Sequence, residues 1–533
     1  MSNHVFYLTD FLKGDVEAAF RACFAAARKV DAPVKIVIAP GEYPLAPSEP
    51  IELFSDLTVE AEGAKFIWPL RWQGPVHRDM FKGVDVCNFS WTGGCFLGHV
   101  FDVPPAVPVW RPECCARGIV IETSADGRTE NLRFRNIEGE DCSGSVVSVY
   151  GYLRQDRQTR ACGIDVRDCR FRRCGKFMWD YGYLWEKLVF ADCFTPAEVA
   201  LGERYASPEN RSGEVRFHGD GITVDAMPPF KKEERHPFDT IAFYGKDLPP
   251  EIQRGKCYFL LGEREGKFCF SDVPGGRPFK TSPALHGGMY LFRNLFSVFH
   301  WGYAPENQGP GKGSLDLVCC RRVHVSGCEL GANGDAMHIH TASDVTFCKN
   351  VITGARMGAF FLAFNCDHAE ICDNTVYGTN GSRVLTVERG CHDVSIHNNV
   401  FTGGGRGCWF NQNDSITVSE NVFKNNVQKG IPKIGVGRRS PFSGAFERYP
   451  EIYFTHALKS YGNIIVRGNV IESTPDNTQP AILFQKNGSE IVLEDNILQG
   501  TSREIAVEDG ADVRCARNEG AASFTARSIA EPL

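Results

Sequence analysis

A solenoid of β-strands is the fold class this sequence predicts. Three observations carry it: a recurring phrase, a near-constant spacing, and apolar residues alternating with polar ones. The phrase reads Val345-Thr-Phe-Cys-Lys-Asn350-Val-Ile and returns around Asn374, Asn399, Asn421, Asn469 and Asn496. From Asn350 the steps are 24, 25, 22, 48 and 27 residues, the 48 being two periods with the Pro441–Pro450 loop inside. A period in the low twenties with period-two alternation and Gly-rich corners stacks strands, not helices.

The beat persists upstream in weaker form, in Val86-Cys-Asn88, Leu132-Arg-Phe-Arg-Asn136, Ile164-Asp-Val-Arg-Asp168-Cys169 and Val323-His-Val-Ser-Gly-Cys328. Asn, Asp or Cys sits where each coil turns. A corner Asn bonds local backbone and tolerates left-handed φ, so the corner residues are expected to stack from coil to coil. The 21 cysteines fit the same scheme as small buried residues with free thiols. Asp15–Lys29 reads as an amphipathic helix whose apolar residues, Ala18, Phe20, Cys23, Phe24 and Ala27, cover the open first coil.

On these residues the chain resembles the right-handed parallel β-helix proteins of the pectin-lyase-like superfamily, over about residues 30–205 and 287–518. The fold expected is all-β: a right-handed parallel β-helix with an N-terminal capping helix and a small inserted β domain. The boundaries read are 1–32 for the first strand and cap, 33–205 for the first part of the helix, and 206–286 for the insertion. The second part then spans 287–520, with a tail at 521–533. The insertion rests on short strand patterns broken by turn signals, among them His236-Pro-Phe-Asp-Thr-Ile-Ala-Phe243, Lys256-Cys-Tyr-Phe-Leu-Leu261 and Pro274-Gly-Gly.

A net charge of -7 gives no basic face for a phosphate backbone, so nucleic acid is not expected as a partner. No run of 18 apolar residues suggests a membrane span, and Met1-Ser2-Asn3-His4-Val5 opens no signal peptide, so a cytoplasmic protein is expected. Cysteine spacing argues against a zinc site, and no metal or cofactor is expected. A homo-oligomer stays open.

Counting back from the corner asparagines aligns His340, Phe364, Glu388 and Asn411 in one row and His338, Leu362, Thr386 and Trp409 in another. Both flank an apolar row of Ile339, Ala363, Val387 and Phe410, so they are expected to point outward. A corner row of Asp335, Ala359, Arg383 and Arg406 lies beside them. His338-Ile-His340 with Asp335 also has metal-ligand character, the less favoured reading. Two aromatic segments compete as sugar contacts: Trp179-Asp180 through Glu186, and Trp301 with the Gly-rich loop after it.

From this face three activities can be weighed. The first is a glycoside hydrolase with Asp335 and Glu388 as its two carboxylates about 10 Å apart, His338 and His340 beside them, and Trp409, Asn411, Arg383, Arg406, Asp180, Trp179, Glu186 and Trp301 contacting a carbohydrate substrate. Gly334-Asp335-Ala-Met-His-Ile-His340 resembles the Asp-bearing strand entry of β-helical polygalacturonases and α-1,3-galactosidases, although their Asp-Asp is Gly334-Asp335 here and no Gly-His-Gly follows. The second is a polysaccharide lyase or uronate epimerase served by Arg383, Arg406 and Arg356. The third is a carbohydrate-binding solenoid without catalysis. The arginines favour an acidic or sulfated glycan.

Overall fold

The computed structural model describes residues 4–70, 78–102, 116–175, 211–224, 240–293, 313–432 and 446–527, short internal breaks of one to four residues aside. Three parallel sheets of 14, 13 and 12 strands among the described residues are built up coil by coil. One coil shows the rule. Asp335–His340 lies in the 13-stranded sheet, Ser343–Cys348 in the 14-stranded sheet and Val351–Thr353 in the 12-stranded sheet. Gly358–Ala363 then returns to pair in parallel with Asp335–His340. Each strand is short because each coil must bend three times to keep its apolar alternates, such as Met337, Ile339, Phe347 and Ile352, in one continuous core. Within it Phe410, Phe454 and Phe484 stack at 4.6 and 4.7 Å between ring centroids.

The helix Val16–Arg28 covers the first coil, with the Asp15 carboxylate accepting from Ala18 N at 2.8 Å as its N-cap. Phe20, Cys23, Phe24 and Ala27 are buried as expected, but Ala18 is exposed and Ala19 takes its place. Ala19 lies four residues before Cys23 and so shares its face, whereas Ala18 belongs to the capped first turn. Phe20 meets Tyr43, Phe66 and Phe81 at 5.5 to 6.1 Å.

The corner asparagines form a ladder. Asn350, Asn374, Asn399, Asn421, Asn469 and Asn496 each direct backbone N–H and Nδ2 to Oδ1 of the next, ending on Asn518, at 2.9–3.1 Å. Cys328 N donates to Asn350 Oδ1, and the Cys328 thiol is hydrogen-bonded with the Cys169 thiol one coil earlier, so cysteine continues the stack upstream. A second stack, Cys366 on Cys391, occupies another corner. The described cysteines are free thiols and mostly buried, and burial raises the Cys320 and Cys408 thiols well above the usual range.

One local expectation needs correction. The ladder asparagines do not hold the left-handed backbone; the residue before each does, as in Lys349, Asp373, Asn398 and Glu420 at φ 56–58°. The Asn must keep its amide pointing inward to bond the next coil, so its exposed neighbour makes the turn.

No described residue between Cys174 and Gly313 joins the three sheets. Arg211–Phe217, Ile222–Val224, Thr240–Tyr244, Cys257–Arg264, Lys267–Ser271 and Met289–Arg293 close instead into an antiparallel barrel. Its last strand lies past residue 286 because it pairs with both Arg211–Phe217 and Thr240–Tyr244 to complete the closure. Val215, Phe217, Phe243, Tyr258 and Phe270 fill its own core. Arg254 ties it to the solenoid, meeting Asp102 at 3.3 Å and Asp141 at 3.5 Å. Among the described residues no helix is long and apolar enough to cross a membrane.

Candidate functional site

The outward rows of the 13-stranded sheet hold the densest set of polar and aromatic side chains predicted from sequence. One row runs Tyr150, Val318, His340, Ala363, Glu388, Asn411 and Thr455. The other runs Ser148, Asp316, His338, Phe361, Thr386, Trp409 and Tyr453; the step from His338 to Phe361 follows the offset that pairs Ile339 with Leu362.

The sequence alignment therefore slips by one residue in a single coil. Ala363, not Phe364, stands beside His340, and Leu362 belongs to the inner row with Ile339, Val387 and Phe410. The corner there takes three residues, Phe364, Asn365 and Cys366, where the coil before it takes two, Thr341 and Ala342. Phe364 has φ 55° and has left the strand. Its ring still meets His340 at 4.2 Å and carries the Arg389 guanidinium at 4.5 Å.

The same offset replaces Ala359 by Gly358 in the corner row, which becomes Gly313, Asp335, Gly358, Arg383 and Arg406. Strand alternation lapses at this corner, because the Arg383 guanidinium reaches the outward-facing Trp409 ring at 3.5 Å. Trp409 is framed by Tyr449 and Tyr453, each at 5.3 Å, and its Nε1 donates to Arg406 O at 3.1 Å. Burial and then the neighbouring Arg406 push the Arg383 guanidinium below its ordinary proton affinity, while Glu388 partly offsets them. A desolvated cation of this kind gains when an anionic group arrives.

The register also separates the expected catalytic pair. Asp335 falls in line with Arg383, and Glu388 stands five residues farther along that strand. Five strand residues span about 17 Å and two strand spacings about 10 Å, so the two Cα atoms lie roughly 19 Å apart. No rotamer choice brings those carboxylates into the ~6.5–9.5 Å range of an inverting pair. Glu388 is instead partly buried beside Arg389, at 3.3 Å.

A carboxylate that the sequence reading missed lies closer. Asp316 is in register with His338 on the adjacent strand, is 1% exposed, and accepts from Tyr150 Oη at 2.8 Å and from Gly313 N at 2.7 Å. Gly313 is the ladder partner of Asp335, one strand spacing away, so the two carboxylates come within roughly 10 Å. Glycine makes the room on both sides. A side chain on Gly313 would meet Asp316 Oδ1 at 2.8 Å, and one on Gly358 would meet Asp335 Oδ1 at 2.8 Å. The signal in the sequence was an acid between two core leucines, Leu315-Asp316-Leu317, after a glycine loop.

Tyr150 is held in turn. The Arg117 guanidinium lies 5.4 Å from its ring centre and binds Asp79 twice, at 2.7 and 3.0 Å, wholly out of water. Burial alone would weaken the hold of Arg117 on its proton, but Tyr150 and Asp79 more than compensate. His338 is 6% exposed and packs on Phe361 at 5.2 Å, and Thr341 Oγ1 lies 2.8 Å from His340 Nδ1. Asp335, His338, His340, Arg383, Glu388, Trp409 and Asn411 thus share one sheet, with Arg406 in the bend just before the Cys408–Asn411 strand, whereas Trp179, Asp180, Glu186, Trp301 and Arg356 lie outside the described residues.

Comparison with known proteins agrees with this architecture. The family description for a right handed beta helix region matches residues 308–438. No curated protein sequence matches the chain. Among solved structures it is similar to a surface adhesin of Streptococcus pneumoniae, at 11% identity and TM-score 0.46, covering 97% of this chain and 91% of that one. It is also similar to the A-module of a mannuronan C-5 epimerase of Azotobacter vinelandii, at 10% and 0.43, covering 99% and 100%. An exopolygalacturonase of Thermotoga maritima follows at 12% and 0.34, covering 97% and 92%. At such identities no residue or activity of those proteins transfers to this chain. With its three parallel sheets, its asparagine ladder and the matched region, the chain has the fold of a right-handed parallel β-helix.

Proposed function

We propose that the protein is a glycoside hydrolase acting on an acidic or sulfated poly- or oligosaccharide, with Asp316 and Asp335 as its acid/base pair. One observation supports this above the others: two buried carboxylates on adjacent strands, each beside a glycine of the corner row, with His338 in register with the first. That spacing leaves room for a water between a protonated acid and a base, the arrangement of an inverting hydrolase. Exclusion of bulk water strengthens each charge interaction there. Arg383 and Trp409 then serve as a subsite, the indole for a sugar face and the guanidinium for its anionic substituent. Glu388 and Asn411 contact hydroxyls.

Tyr150 and His338 beside Asp316 favour a second reading, a lyase or epimerase that moves a proton at C5 of a uronate. Incubation with acidic and neutral oligosaccharides separates the two. New reducing ends without an unsaturated-uronate absorbance support hydrolysis, absorbance supports elimination, and exchange of C5 hydrogen without cleavage supports epimerisation. Binding without any of these overturns both and leaves a carbohydrate-binding solenoid.

A further inference from the structure

The 14-stranded sheet turns a different set of side chains outward. Cys348, Cys372 and His397 end three successive strands, Ser343–Cys348, Asp367–Cys372 and His392–His397, and stand in register across them. Their neighbours Phe347, Ile371 and Ile396 point into the core, so this row points out. Glu370, two residues before Cys372, shares its face. The ligand atoms of Glu370, Cys372 and His397 all lie within 4.8 Å of one another, and the Cys372 thiol is hydrogen-bonded with Cys348.

We propose that this row is a binding site for zinc or a similar thiophilic divalent cation, with Cys372, His397, Glu370 and Cys348 as its ligands. Two sulfurs, one imidazole and one carboxylate are a donor set for tetrahedral zinc, whose bonds of ~2.3 Å to sulfur and ~2.0 Å to nitrogen put ligand atoms roughly 3.5 Å apart. The ligand atoms of Glu370, Cys372 and His397 need to close by about an ångström, within the reach of side-chain rotation on a fixed backbone, while Cys348, outside that group and two strands from His397, has to swing in past Cys372 as the fourth ligand.

A second partner orients the imidazole. His397 Nε2 faces Glu370 Oε1 at 3.2 Å, and Nδ1 faces the Asn398 amide at 3.2 Å. As it stands Asn398 Nδ2 donates to Nδ1 and Nε2–H faces the Glu370 carboxylate; metal binding requires the amide to rotate so that its oxygen accepts from Nδ1–H, which frees Nε2 and gives the ligating histidine an outer partner. The plain alternative is a surface ion pair between Glu370 and His397, worth at most about 1 kcal/mol. The other cysteine stacks, Cys169 with Cys328 and Cys366 with Cys391, lie at buried corners, whereas Cys348 and Cys372 stand on an outward row beside a histidine and a carboxylate. Bound metal would clip three consecutive coils together on a sheet separate from the one bearing Asp316 and Asp335.

The test uses the full chain, reduced and freed of metal by a chelator, then titrated with cobalt(II). The proposal expects one cobalt per chain with tetrahedral d–d bands and thiolate-to-cobalt charge transfer, both bleached by zinc. Cys372→Ser and His397→Ala should each weaken binding at least about tenfold, while Cys515→Ser, at an exposed cysteine on another strand, should leave it unchanged. Circular dichroism establishes that each variant is folded. No cobalt spectrum in the reduced protein, or one unaltered in the folded Cys372→Ser/His397→Ala double variant, overturns the site.

Discussion

Tyr150 donates its hydroxyl hydrogen to Asp316 Oδ2 at 2.8 Å across 166 residues of sequence. The two strands that carry them are ladder neighbours, so the bond fixes Asp316 from the strand beneath while Gly313 N holds its other oxygen. Tyr150→Phe removes the hydroxyl's bonds with Asp316, Ser148 and Arg117 and keeps the ring beside the Arg117 guanidinium. Turnover should fall about tenfold or more, at ~1.4 kcal/mol per decade, with a smaller change in KM. Release of reducing ends measures it, and unchanged turnover would remove Tyr150 from the site.

Asp335 and Glu388 should behave differently. Asp335→Asn and Asp316→Asn are each expected to abolish hydrolysis in a folded protein. Glu388→Gln, too distant to pair with Asp335, should raise KM several-fold and leave kcat within about threefold. The reverse pattern would restore Glu388 to the chemistry.

The stacked guanidinium of Arg383 carries a selectivity prediction. An anionic glycan should raise the melting temperature more than its neutral counterpart, since it neutralises a partly buried cation. Arg383→Met keeps the contact with Trp409 and should erase that difference; equal stabilisation by both glycans in the unmodified protein would sink the acidic-substrate reading.

Asn399 is a central rung of the ladder. It is fully buried, donates to Ile371 O and Asn421 Oδ1, and accepts from Asn374 through Oδ1. Asn399→Ala leaves buried donors and carbonyls without partners, at about 2–4 kcal/mol. Asn518, partly buried at the end of the ladder, should cost less than half as much when replaced. Chemical denaturation of the two variants checks the order.

Acid should act partly through Glu329. Its bonds with Arg172 hold its carboxyl below the ordinary range, with Arg170 adding to the effect. A depressed carboxylate stabilises the fold above its unfolded pKa and loses that contribution as pH falls through the folded value. Glu329→Gln should therefore flatten the decline of melting temperature below about pH 4.5, by well under 1 kcal/mol because the pair is solvent-screened. Identical pH profiles for both proteins would show that the network contributes nothing.

The solenoid was legible because its signals are local and repeated: each Asn350-type corner states the register of its own coil. The face was less so. One extra corner residue at Phe364–Cys366 moves Phe364 out of its row, and no rule of composition distinguishes a two-residue corner from a three-residue one. Asp316 went unnoticed since its importance depends on Tyr150 and Asp335, partners that sequence distance conceals. Arg117 and Asp79 are likewise a pair only once two coils have stacked. His338 and Trp409 were found because they flank a uniformly apolar row, and Arg383 because its corner row aligns beside theirs from coil to coil.

The inserted barrel has a consequence for how the chain assembles. Most neighbouring strands of the 13-stranded sheet are one coil apart, as Leu315 and Met337 are, whereas Val147 must find Leu315 across 168 residues. At ~0.6 kcal/mol per doubling of loop length, that closure costs about 2 kcal/mol more than an ordinary coil step. The barrel, with its own core, shortens the gap once it has formed. The coils before Cys174 and those after Gly313 can thus zip up as separate tracts and fuse late. The seam between them, bridged by Tyr150 and Asp316, is therefore expected to be the last part of this face to take shape during folding.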